Sequence, residues 1–119
     1  SSTAVSPADH LAELKKYCDS DLERDWLDFL EQHNLHLPDT AQKFIEACHT
    51  KPDFWYADSY TAVFIDGPDH DHADIQAKDV QIDNCLELNL GVTAVRFHYL
   101  ADWLTIVQQH PTIFGKVAE

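Results

Sequence analysis

The chain has 119 residues, enough for one hydrophobic core. Its 21 acids against 8 lysines and arginines give a formal net charge of −13. That excludes the basic stripe carried by a free-standing nucleic-acid binder, and no apolar run of 18 residues exists to predict a membrane-spanning helix.

Residues 1–6, Ser-Ser-Thr-Ala-Val-Ser, hold no basic or apolar stretch and read as a linker rather than a leader. Ser6-Pro7-Ala8-Asp9 opens a first helix, with a capping serine, a proline at the first helical position and an acid in the first turn. Residues 1–19 are read as an N-terminal helix and linker, and 20–119 as the main domain. Ser20-Asp21-Leu22-Glu23 is a capping box before Trp26, Leu27, Phe29 and Leu30, which makes this the clearest helix of the chain. Glu23 has two readings, the capping partner or an acid of a site. Ala41, Phe44, Ile45 and Cys48 fall at helical spacing; an irregular run into a sheet is the alternative.

Lys51-Pro52 breaks that segment. Asp53 to Ala57 is aromatic and strand-like, Ala57-Asp58-Ser59 is a turn, and Tyr60 to Ile65 is apolar enough for a central strand. Asp66-Gly67-Pro68 ends it. Asp69-His70-Asp71-His72 is a polar loop. A helix is predicted from Ala73 to about Leu90, with Ile75, Asp79, Ile82, Leu86 and Leu90 on one stripe and Gly91 as its C-cap. Val92 to His98 is a third long strand, with Arg96 its only lysine or arginine, and Ala101 to Gln109 a last helix before Pro111. The predicted class is α/β, a small mixed sheet of three to four strands flanked by helices. Cys18, Cys48 and Cys85 are odd in number, far apart and not in Cys-x-x-Cys spacing. Three separate thiols and a reducing, cytoplasmic setting are expected.

The hairpin places Asp53 near the start of one strand and Asp66 at the end of the next. Magnesium-dependent phosphodiester cleavage needs a few hard oxygen ligands that leave room for water and phosphate. Asp53 and Asp66 are the candidate ligands, and Glu23 adds a ligand or orients a water. His70, His72 or Asp71 would move protons. Pro52 to Leu90 carries nine acids and one lysine or arginine, Lys78, so Lys78 is the candidate for phosphate charge. Each residue also has an ordinary reading: a strand-start acid, an Asp-Gly turn, a solvated loop capping the next helix through Asp71 or Asp74, and a Lys78-Asp79 surface pair.

Taken together, PDFWYADSYTAVFIDGPDHD, QAKD and LELNLGVTAVRFHY resemble the Vsr-like branch of the PD-(D/E)XK restriction-endonuclease superfamily. They are most similar to the small nuclease-like domains at the C-terminal end of large bacterial helicase-type proteins. The resemblance runs from about Leu22 to Phe114. It implies a restriction-endonuclease-like fold, with Asp53 as the metal-binding aspartate. Phe64 stands at the superfamily's usual glutamate position and Asp66 at its lysine position. The Vsr-like branch holds its metal with the aspartate and a backbone carbonyl, which implies the Ile65 carbonyl here. The resemblance also implies roles for His70 as catalytic histidine, Glu23 as first-helix glutamate and Asp79 as the acid of the following helix.

The leading expectation is a Mg2+-dependent DNA endonuclease domain, with Mn2+ as substitute, whose DNA is delivered by a covalently linked helicase region. The alternative is a degenerate nuclease fold that docks DNA or protein without catalysis. A third reading is a zinc or manganese hydrolase of another substrate, with Asp66, His70 and His72 as ligands.

Overall fold

Both N-terminal helices start where their caps dictate. In a computed structural model that describes residues 6–117, Ser6 Oγ accepts the Asp9 amide at 3.2 Å and α1 runs Pro7–Lys16. The linker reading of residues 1–5 lies outside the described residues. Helix α2 runs Asp21–Gln32, and Ser20 Oγ accepts the Glu23 amide at 3.3 Å while donating to Glu23 Oε2 at 2.8 Å. The apolar stripe of α2 is fully buried at Trp26, Leu27 and Leu30. Trp26 stacks on Phe54 and meets Phe97 edge-on, with ring centroids 4.9 and 5.1 Å apart. Leu11, Leu14 and Cys18 join the same core.

Four strands form one mixed sheet in chain order: β1 Thr40–Ala41, β2 Phe54–Tyr56, β3 Thr61–Asp66 and β4 Thr93–His98. The β1–β2 and β2–β3 pairs are antiparallel, and β3–β4 is parallel. The mixed sheet flanked by helices is as the sequence predicts. Every residue of β3 is buried, as a strand covered on both faces requires. Side chains alternate between the faces. Phe54, Tyr56, Val63 and Ile65 enter the core under α1 and α2, whereas Trp55, Ala62 and Phe64 enter a second cluster with Cys48, Leu86 and Val92.

Three expectations are corrected. The helical spacing from Ala41 to Cys48 yields no α-helix. Thr40–Ala41 pairs with β2, Ile45 bridges Thr50, and only a short 3₁₀ turn forms at Glu46–Cys48. Edge pairing overrides local periodicity here, and Phe44 is left 59 % exposed. The long helix divides into α3, Ala73–Asn84, and a π-turn at Cys85–Asn89. No residue of α3 is buried, and the widened turn sends Leu86 into the second cluster. Gly91, at φ +67°, ends the segment as expected. Finally, Cys48 and Cys85 form a disulfide, with Cα atoms 5.8 Å apart, and only Cys18 is a free thiol. The loop before β2 and the π-turn lie over the same sheet face, which makes neighbours of residues 37 positions apart. The pairing overturns the three-thiol reading and removes its argument for a reducing compartment.

After β4 come α4, Trp103–Gln108, and a short α5, Pro111–Phe114, which returns Phe114 to the core. No helix among the described residues is long and apolar enough to cross a membrane.

Candidate functional site

The β2–β3 hairpin sets Phe54 opposite Val63. Continued past the start of β2, that register brings Pro52 opposite Ile65. Proline has no N–H, so β2 offers the Ile65 carbonyl no ladder donor. The Ile65 amide points to the same side and is taken by Asp53, whose Oδ2 accepts it at 2.7 Å. In a strand the N–H and C=O of one residue point the same way, so the Ile65 carbonyl also faces that side.

Asp53 sits in unfavourable surroundings for a carboxylate. Burial pushes its carboxyl up to about 7 from 3.8, the Ile65 amide opposes the shift, and the charges of Glu23, Asp66 and Asp19 add to it. No cation pairs with Asp53 among the described residues. Glu23, on α2, is buried and fully engaged as a cap. It accepts from Ser20 Oγ, from the Asp19 amide at 3.3 Å and from Gln42 Nε2 at 2.8 Å. Gln42 was not foreseen, and ties this acid to the loop after β1.

A second group lies past the end of β3. Gly67-Pro68 turns the chain into a 3₁₀ turn, Pro68–Asp71, which carries His70 beside α3. His70 Nδ1 is 2.6 Å from Asp79 Oδ2 and 3.6 Å from Asp66 Oδ1. An ionised carboxylate only accepts, so Nδ1 carries the proton and Nε2 is the free ring nitrogen. Asp66, His70 and Asp79 each bring one ligand atom within 4.8 Å of the others, and they form the one convergent His/Asp group among the described residues.

Arg96 binds this group together. It stands beside Phe64 in the parallel β3–β4 pair, with its guanidinium 4.2 Å from the ring centroid. Its Nη1 donates to Asp66 Oδ1 at 3.1 Å and lies 3.4 Å from Asp79 Oδ1. Nε and Nη2 grip Asp83 at 2.9 and 2.8 Å. Burial raises the Asp66 carboxyl, and Arg96 and His70 offset part of the rise. For Arg96, burial opposes the charge, but the surrounding carboxylates outweigh it and hold its proton more firmly than usual.

The predicted residues therefore divide. Asp53 and Ile65 meet at the hairpin's open edge, and Asp66, His70, Asp79 and Arg96 meet past the end of β3. Asp71 instead pairs with His98 Nε2 at 2.6 Å and accepts from the Tyr99 hydroxyl at 3.1 Å; the His98 contact lowers its carboxyl. His72 is exposed, and Asp79 takes the place the zinc reading gave it. Lys78 is exposed on α3 and forms no ion pair among the described residues. Asp83 was missed, although it stands one helical turn after Asp79 and so on the same face.

No protein-family model matches the chain, and neither a curated protein nor a solved structure matches it.

Proposed function

We propose that the edge formed by Asp53 and Ile65 is the cation site of a divalent-metal phosphodiesterase with a restriction-endonuclease-like fold, acting on DNA. One observation carries this reading. A half-buried, acid-surrounded carboxylate adjoins a strand carbonyl to which Pro52, with no N–H, offers no ladder donor. Two hard oxygens with no cation partner suit Mg2+ or Mn2+. When bound, the ion would polarise a phosphoryl oxygen. Asp53 would hold it in the ionised form, and the Ile65 carbonyl would add a neutral oxygen. Asp66, fixed by Arg96, supplies negative charge beside them and is the third ligand candidate.

His70 is the proton carrier in this reading. Asp79 fixes its Nδ1 and leaves Nε2 to accept or return a proton. Glu23 positions the start of α2 rather than touching substrate. Exposed Lys78 and His72 remain for the DNA backbone. The charge of −13 requires that DNA be brought by a linked partner, such as a helicase region in the same chain.

The alternative, a docking module without catalysis, is favoured by Arg96. It already neutralises the acids past β3, and it stacks on Phe64 where the superfamily has a metal-binding glutamate. Cleavage of labelled duplex, nicked and single-stranded DNA with Mg2+ or Mn2+, beside Asp53→Asn and His70→Ala, separates the two. Metal-dependent cleavage lost in both variants supports the phosphodiesterase. Folded protein that cleaves nothing supports the docking module.

A further inference from the structure

The Cys48–Cys85 bond closes a loop of the chain around the candidate site. Asp53, Ile65, Asp66, His70 and Asp79 all lie between its two ends. Glu23 and Arg96, which brace the two groups, stand outside it. We propose that this bond is a redox-controlled tether for α3, closed when the site is assembled and opened by a dithiol.

The argument rests on how weakly α3 is otherwise held. None of its residues is buried, and Val80 on it is 59 % exposed. Its ties to the body are polar: Asp79 to His70 and Arg96, and Asp83 to Arg96. The apolar anchors come at its C-terminal end, where half-buried Ile82, buried Leu86 and half-buried Leu90 meet the second cluster. Cys85 sits at the join between α3 and the π-turn, in the middle of that anchor. Its partner Cys48, buried in the second cluster, is in a short 3₁₀ turn beside one isolated bridge at Ile45 and Thr50. The bond therefore fastens the weakly held α3 to the loop that enters the second cluster. It does not staple elements that the main core already fixes.

Reduction is balanced by the dithiol. Two electrons and two protons pass to the Sγ–Sγ bond, Cys48 and Cys85 become thiols, and the dithiol becomes a disulfide. Cys85 is half-exposed, so the bond can be reached without unfolding the chain. Cys18 is separate from this chemistry. It is buried in the main core, where burial pushes its thiol up to about 11, so little thiolate forms there. Opening the tether would loosen α3 and with it the hold of Asp79 on His70. The main core under α1 and α2 would stay intact.

Hydrogen exchange read by mass spectrometry tests this on the full chain, untreated and treated with dithiothreitol. A Cys48→Ser/Cys85→Ser variant serves as a second open form. Exchange across Ala73–Asn84 is expected to rise at least tenfold in both open forms, with Asp21–Gln32 unchanged. Equal exchange of α3 in the open and closed forms would overturn the proposal. So would three titratable thiols in the untreated, air-exposed protein, or an equal rise in α2. None of these readings uses catalysis, so the tether stands or falls separately from the phosphodiesterase.

Discussion

The Ile65 amide donates to Asp53 Oδ2 at 2.7 Å, and the β2–β3 register, extended past Phe54, sets Pro52, a residue with no amide to donate, opposite Ile65. That register gives the Ile65 carbonyl no ladder donor from Pro52, beside the half-buried carboxylate of Asp53. No cation pairs with Asp53 among the described residues, so its ionisation in the fold costs free energy.

The pH dependence of stability should report that cost. The folded-state value of Asp53, about 7, lies above its ordinary 3.8. The fold therefore favours the protonated form. The penalty for ionising Asp53 is absent below about pH 4 and complete above about pH 7. Asp53→Asn removes the charge and keeps a side-chain oxygen to accept from Ile65. Its stability relative to the native chain should rise from near zero at pH 4 to about 2–4 kcal/mol at pH 8. Urea denaturation of both proteins across that range measures the difference, and Mn2+ should shrink it by stabilising the ionised native form.

Arg96 has a structural task whatever the site does. Replacing it leaves the buried carboxylate of Asp66 and its neighbours Asp79 and Asp83 without their guanidinium. Arg96→Leu should cost about 3 kcal/mol, and Asp66→Asn in the same chain should recover part of it by removing the stranded charge. A double-mutant cycle from denaturation midpoints reads the coupling.

Glu23 is expected to act as a cap. Glu23→Ala and Ser20→Ala should each cost about 1–2 kcal/mol. The double variant should cost clearly less than the two added, because both remove the same Ser20–Glu23 contact. Strict additivity in thermal melts would mean that Glu23 works through Gln42 or Asp19 instead.

Much of the scaffold was legible because its signals are local. Ser20 and Glu23 announce a capping box, Pro52 and Gly67-Pro68 bound the hairpin, and Gly91 marks a helix end. Asp79 drew attention as the polar member of an apolar stripe. What escaped depended on three-dimensional register. Nothing along the chain says that Cys48 and Cys85 are neighbours, because only the two layers over one sheet face bring them together. The spacing of Ala41, Phe44, Ile45 and Cys48 suits a helix, but β2 captures the start of that segment as an edge strand. Asp83 and Pro52 were more accessible. Asp83 repeats Asp79 one turn later, and Pro52 falls opposite Ile65 once the hairpin register is extended past Phe54.

The central claim is that Asp53 and Ile65 hold a divalent cation, and a Mn2+ titration by isothermal calorimetry at pH 7.5 tests it most directly. The native chain should bind Mn2+, Asp53→Asn should lose that binding, and His70→Ala should keep it. Binding that survives Asp53→Asn and disappears in His70→Ala would contradict the account and move the ion to the Asp66, His70 and Asp79 group. No binding by the folded native chain would contradict it outright.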